Sequence, residues 1–158
     1  MYWIPAVVFL THVMEEYPRF PEWATRHFGA TSRAWYVDSH ILLIAIAVSI
    51  CARAEDAAPE SLWPVLATSF QWVLATNAIF HIVTTWLFRE YSPGLFTATV
   101  LFLPATAYMF NRTISEQLLT PLQVASVVGL GTVVGGAAVA SLWLPMDFDW
   151  KLRRSEAP

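Results

Sequence analysis

The sequence predicts an all-α integral membrane protein, a helical bundle of about five transmembrane helices. Of its 158 residues, 56% are hydrophobic and only 13% are charged, whereas a soluble domain usually carries about 25% charged residues. Long apolar stretches recur along the chain, and about 20 such residues cross the roughly 30 Å of hydrocarbon as a helix. The helix is the expected form because every backbone amide in lipid must find its partner within the segment.

The first predicted span is the shortest. Tyr2 to Met14 supplies only about 13 largely apolar residues, so it must thin the bilayer, be shielded by its neighbours, or continue as a helix past the glutamates that follow. The other spans are predicted at residues 35–54, 61–88, 93–110 and 121–144. We expect one transmembrane domain over residues 1–150, followed by a short polar cytoplasmic tail at residues 151–158.

The distribution of cationic residues predicts the orientation in the cell inner (plasma) membrane. With five spans, one side receives Arg19, Arg26, Arg33, Arg89, Lys151, Arg153 and Arg154, and the other only Arg53 and Arg112. Because cytoplasmic loops hold the excess of Lys and Arg, the N-terminus is expected outside and the C-terminus in the cytoplasm. Removing the first span leaves the same residues on the same sides, so this asymmetry does not test that span.

An aromatic segment, residues 17–33, lies between the first two spans and alternates aromatic with charged residues. We expect an interfacial segment in which Phe20, Trp23 and Phe28 face lipid while the arginines face headgroups. A plain polar loop is the alternative.

The composition also limits the partners. A net charge of −3, with nine Lys and Arg spread along the chain, offers no basic stripe for nucleic acid, and the expected partner is the lipid bilayer. In the last span, Gly131 and Gly135 form a G-x-x-x-G pattern that permits close helix contact. This pattern serves either packing within the chain or a homo-oligomer.

Ionisable and amide side chains collect at one depth of the predicted bundle. His12, Glu15 and Glu16 end the first span, His40 begins the second, and Asn77 and His81 lie near the end of the third. Charges inside a span cost at least about 2.5–3.5 kcal/mol, so they usually face the interior and have a function. On a helix both glutamates can share the face of His12, although they diverge from each other by about 100°.

This set predicts a divalent metal site. Facing helices that carry His and Glu hold di-iron and di-manganese centres in helical bundles, and imidazole with carboxylate suits Fe, Mn or Zn. The predicted metal ligands are His12, Glu16, His40 and His81, and the predicted catalytic residues are Glu15, Glu16 and Asn77.

Other interpretations of these residues stay open. The two glutamates could be solvated and pair with Arg19, and His40 could bond only to Ser39 or backbone. Asn77 and His81 could be polar contacts between helices without chemistry. Thr97, one turn beyond Pro93, could either reach the site or fill the core.

The chain resembles the HXXEE family of small bacterial membrane proteins, whose motif is here His12-Val-Met-Glu15-Glu16. The resemblance extends over the aromatic segment, the pair Asn77 and His81, and the Tyr-Ser-Pro-Gly turn before Leu95. The family is largely uncharacterised, so the resemblance implies a polar signature in the membrane without an established reaction.

Two classes of function follow. The first is a metal-dependent enzyme that acts on a lipid-like or otherwise apolar small molecule, with a carboxylate as general base; a metal-free version would exchange protons as an isomerase does. The alternative is a small transporter or an ion- or proton-binding membrane subunit without catalysis. Five spans in one copy leave little room for an aqueous path, and no internal repeat supports an inverted-repeat transporter.

Overall fold

A computed structural model describes residues 1–58 and 61–144, and throughout these residues the regular elements are helices without strands. The α-helices are α1 (Ile4–Glu16), α2 (Phe20–His27), α3 (Arg33–Glu55), α4 (Leu62–Phe88), α5 (Leu95–Thr97), α6 (Leu103–Ser115) and α7 (Pro121–Ala140). The predicted all-α class is confirmed. The predicted tail at residues 151–158 lies outside the described residues.

The bundle is organised around α4. Three helical segments, α3, α4 and residues Pro121–Trp143, are long and apolar enough to cross a membrane. In its most apolar window α4 is 56% buried, whereas those of α3 and Pro121–Trp143 are each only 17% buried. Apolar side chains on α3 and α7 therefore point outward, as they do in helices that face lipid.

The ends of the helices explain how the chain turns. Ser32 and Ser61 each accept a hydrogen bond from a backbone amide in the first turn of α3 and α4, which satisfies a donor without an intrahelical partner. At the opposite end of α3, Glu55 accepts from the backbone amide of Tyr2 at 3.3 Å. The beginning of α1 thus lies beside the end of α3, and the two helices run antiparallel.

The predicted span at residues 93–110 is a longer and less regular helix. After α5 the backbone forms a π-helical stretch, Ala98–Phe102, and then continues as α6 to Ser115. Pro104 comes two residues after this stretch and has no N–H to donate to the carbonyl of Val100, four residues earlier. A widened turn is the local response. Gln71 of α4 donates to the buried carbonyl of Phe102 at 3.3 Å.

The expectation that the aromatic segment faces lipid is wrong for its two central residues. Phe20 is 6% exposed and Trp23 is 1% exposed, because α2 turns them inward against Tyr36 and Phe80. Phe28 is partly buried against the same group. α2 is therefore an amphipathic helix that covers the end of the bundle, and its apolar face packs against other residues of the protein.

The glycines of α7 bring this helix against α4. A Cβ added to Gly131 would lie 2.8 Å from Trp72 and 2.9 Å from the backbone oxygen of Ser69, and one added to Gly135 would overlap Thr76. The close approach that the glycine pattern predicts is therefore made within the chain. Self-association through the same two residues would compete with this contact and stays a prediction.

We expect Gly131→Ala to lower the free energy of unfolding by about 1–3 kcal/mol, because its methyl group has no space against α4. Gly129→Ala is the matched control, since no atom lies within 4 Å of a Cβ at that position, and it should be neutral or slightly stabilising. Thermal unfolding in detergent compares the two variants. Equal melting temperatures would contradict the packing of α7 on α4.

Candidate metal centre

The carboxylate of Glu16 is the centre of a buried cluster. His81 Nε2 and His12 Nε2 lie 3.2 Å and 3.4 Å from its Oε1, and His40 Nε2 lies 3.6 Å from its Oε2. His12, Glu16 and His81 are all buried, while the side chain of His40 is 17% exposed. The structure therefore brings together four residues from α1, α3 and α4 that the sequence predicts as ligands.

The spacing of three of these residues suits a metal ion. One ligand atom from each of His12, Glu16 and His81 lies within 4.8 Å of the other two. Metal bonds of about 2.1 Å in tetrahedral geometry separate neighbouring ligand atoms by about 3.4 Å, close to the distances from the two rings to Glu16. Both Nε2 atoms are buried and have no hydrogen-bond partner in the described part of the chain. In the tautomer that places the lone pairs on these two Nε2 atoms, the cluster fits a cation.

The outer nitrogens of the rings are held by hydrogen bonds. His40 Nδ1 lies 2.7 Å from the backbone oxygen of Tyr36, which can only accept, so Nδ1 donates and Nε2 carries the lone pair. His12 Nδ1 lies 2.8 Å from the hydroxyl of Thr97, which can itself donate to the backbone oxygen of Gly94 at 3.3 Å. His12 then also presents a lone pair at Nε2. Such anchoring from behind is typical of metal-binding histidines.

These lone pairs create an electrostatic requirement. Two imidazole nitrogens and a carboxylate face one another in a region without exposed surface, and acceptors that meet in this way repel. Either a hydrogen on an imidazole Nε2 or a metal ion between these atoms would relieve the repulsion, and a cation would also balance the buried charge of Glu16.

The turn before α5 closes the cluster. Gly94 has a φ of 101°, and a Cβ at this residue would lie 2.6 Å from His12, 2.8 Å from Glu16 and 2.9 Å from His81. Only glycine combines this backbone conformation with so close an approach. In the same turn Ser92 Oγ lies 2.8 Å from His81 Nδ1, so the turn both covers the cluster and orients one of its rings.

The two glutamates of the motif have different surroundings. Glu16 enters the cluster, whereas the Glu15 carboxylate accepts from the backbone amides of Gly94, Phe96 and Thr97 at 3.3, 3.3 and 2.8 Å. A carboxylate is favoured at this place because the first amides of a helix lack intrahelical partners and carry partial positive charge. Glu15 therefore ties α1 to the beginning of α5.

Tyr91 reinforces this connection. Its hydroxyl donates to Glu15 and accepts from the backbone amide of Phe96. Partial burial raises the pKa of Tyr91, and the hydrogen bond to Glu15 raises it further. The phenol thus stays protonated at neutral pH and remains a donor.

Two residues of the site were not singled out from the sequence. The Tyr36 hydroxyl donates to Glu16 Oε2 at 3.0 Å, and its ring stacks on His40 at 3.9 Å between ring centres. A signal existed, since Tyr36 precedes His40 by four residues and shares its helix face. Ser92 lies in a motif that the sequence marks only as a turn. Asn77, which the sequence does predict as a catalytic residue, lines a neighbouring cavity together with Glu16 and His40.

Fold and site together define an all-helical protein with membrane-compatible helices and a buried histidine and glutamate cluster. The chain belongs to the HXXEE family, described as proteins of unknown function with an HXXEE motif, which matches residues 3–109. The matched region contains each residue of the cluster and the turn that closes it, but ends before α7. No curated protein and no solved structure matches the chain.

We expect Glu15→Gln to lower the free energy of unfolding by about 1–3 kcal/mol, since hydrogen bonds to a charged group are lost at the start of α5. Glu22→Gln is the matched control. The Glu22 side chain is 70% exposed and pairs with Arg33 at 3.2 Å, and such surface pairs contribute about 0–1 kcal/mol. Thermal unfolding of both variants distinguishes them. A loss no larger than that of the control would contradict the role of Glu15 in joining α1 to α5.

Proposed function

We propose that this protein is a membrane-embedded metal-dependent enzyme that acts on a lipid-like or otherwise apolar small molecule. The observation that carries the proposal is the convergence of three imidazole Nε2 atoms on one buried carboxylate. A buried cluster of this kind is costly unless a cation balances it. Ionisable residues within membrane helices most often serve substrate or ion chemistry.

In this proposal His12, Glu16 and His81 hold the metal ion, and His40 is a fourth ligand or faces the substrate. Fe, Mn and Zn all suit this mixture of nitrogen and oxygen ligands. When bound, the ion supplies Lewis-acid polarisation of a substrate or activation of water or oxygen. Tyr36 orients Glu16 through its hydroxyl, and Glu15 acts as a positioning residue through the turn. Asn77 contributes an amide that can bind the substrate.

A metal-free version keeps the same residues. Glu16 and a neutral histidine would then exchange protons with a bound substrate, as in an isomerase. A hydrogen between Glu16 and one of the rings would then relieve the repulsion between the facing acceptors.

The proposed topology has five spans, with α1 and the helix from α5 to α6 crossing the bilayer beside the three longer helices. Leu95 to Ser115 is continuously helical through the π-helical stretch, and at about 1.5 Å per residue its 21 residues approach the thickness of the hydrocarbon. α1 reaches only about 20 Å, so it would sit where its neighbours and a locally thinner bilayer shield its end.

The metal content of the purified protein tests the proposed chemistry. After chelation, we expect the protein to bind about one Zn²⁺, Mn²⁺ or anaerobic Fe²⁺ per chain and to gain about 2.7 kcal/mol of stability at a hundredfold excess over the dissociation constant. His12→Ala and His81→Ala should both lose this binding, while each still folds in chelator. Metal analysis and thermal unfolding measure these effects.

His27→Ala is the control, because His27 pairs with Glu90 at 2.9 Å and lies outside the cluster. This variant should retain the metal. A wild-type protein that binds none of the three ions, together with strong destabilisation in His12→Ala, would indicate a structural hydrogen-bond network. Metal-dependent flux across vesicles containing the protein would instead favour the transporter.

For the topology, we expect the C-terminus in the cytoplasm and the N-terminus outside. In the described residues Arg19, Arg26, Arg33 and Arg89 lie at the end of the bundle that would face the cytoplasm, and Arg53 and Arg112 lie at the opposite end. A reporter fused after Pro158 should be active only if it functions in the cytoplasm. Strong activity of a periplasmic reporter at this position would refute the orientation.

A further inference from the structure

A cavity of about 190 Å³ lies directly beside the cluster. Glu16 and His40 form part of its lining, and most of the remaining wall is apolar. The apolar side chains include Trp35 of α3, Phe70 of α4 and Leu142 from the turn after α7. α3 and α7 both pack on α4 rather than on each other. The cavity therefore occupies a gap between two helices whose outer faces are largely exposed and apolar.

The amide oxygen of Asn77 has no hydrogen-bond partner in the described part of the chain. Asn77 lines the cavity, and its Oδ1 is buried without a hydrogen bond in the described residues. A buried amide oxygen without a partner costs about 1–3 kcal/mol, so this atom calls for a donor from outside the chain. The carboxylate of Glu16 and the lone pair of His40 are further acceptors on the same lining. A hydroxyl satisfies such a site because it donates to an oxygen or nitrogen and can also accept.

We propose that this cavity binds an apolar molecule about the size of one aromatic ring that carries a single hydroxyl group, with the hydroxyl beside Asn77. The size follows from the volume, since an apolar cavity of about 150 Å³ accommodates benzene. The assignment rests on the proposed function because it names the substrate class of the same site. The binding itself uses no metal ligand bond, so it can be tested separately.

The ligand enters from the bilayer between α3 and α7. Ala138 of α7 lines the cavity and is itself exposed, so it marks the opening. Ala137 is exposed as well but does not line the cavity, because successive residues on a helix point about 100° apart. These two alanines provide a blocking variant and its matched control on the same helix.

The test uses the full chain in lipid nanodiscs after chelation, with 4-bromobenzyl alcohol and its hydroxyl-free analogue 4-bromotoluene as probes. Bromine quenches indole fluorescence at contact, and Trp35 lines the cavity. The difference in fluorescence quenching between the wild type and Trp35→Phe gives the contribution of Trp35. We expect saturable quenching by the alcohol that is lost in Ala138→Phe and retained in Ala137→Phe.

Asn77→Leu tests the proposed hydrogen bond between Asn77 and the ligand hydroxyl, and it leaves the opening at Ala138 unchanged. We expect it to bind the alcohol about fivefold to tenfold more weakly, the effect of one neutral hydrogen bond, and to bind 4-bromotoluene as the wild type does. Its thermal stability should not fall, because the replaced oxygen has no partner among the described residues. An asparagine with only a structural role would lower the stability and leave the ratio of the two affinities unchanged.

Two outcomes would overturn the inference. Quenching that rises linearly with either probe and equally in all variants would mean that the probes only partition into lipid. Equal affinity of the wild type for both probes would refute the hydroxyl assignment. Saturable alcohol binding in a protein that binds no metal would support the cavity and contradict only the metal centre, so the two failures are distinguishable.

Discussion

The charge of Glu16 is the constraint on which the arrangement of this protein depends. A carboxylate removed from water is stable only when hydrogen bonds or positive charge surround it, and here Tyr36 donates to one oxygen while His12 and His81 approach the other. These partners come from three helices. Satisfying one side chain therefore determines how α1, α3 and α4 are placed relative to one another.

The turn before α5 extends this constraint to the rest of the bundle. Thr97 holds the outer nitrogen of His12, Ser92 holds that of His81, and Gly94 leaves the space in which both rings meet Glu16. Glu15 secures the turn from the neighbouring position of α1. The two adjacent glutamates therefore have different roles. Glu16 is the anionic centre of the cluster, and Glu15 positions the turn that encloses it.

Helical spacing and alternating spans allow much of this site to be predicted. The common face of His12 and Glu16 and the similar depth of His40 and His81 follow from periodicity and topology. The separation of the two glutamates and the choice of Glu16 as the inward one are also predicted, but the partners of Glu15 are not, because they are backbone amides of a distant turn. Trp23 illustrates the other limit. An aromatic residue that faces lipid and one that faces the core have the same local sequence pattern. Only the contacts of Trp23 with Phe80 and Tyr36, which are distant in sequence, show that it faces the core.

The pairing of His12 with Glu16 within α1 bears on how the chain is made. α1 is synthesised before α3 and α4, so in the proposed five-span topology its carboxylate would enter the bilayer when neither His40 nor His81 yet exists. A histidine four residues earlier on the same helix gives the glutamate an immediate local partner. Sharing one proton between them lowers the cost of exposing the pair to lipid. During biosynthesis His12 can therefore serve as a temporary partner for Glu16 until α3 and α4 have been made.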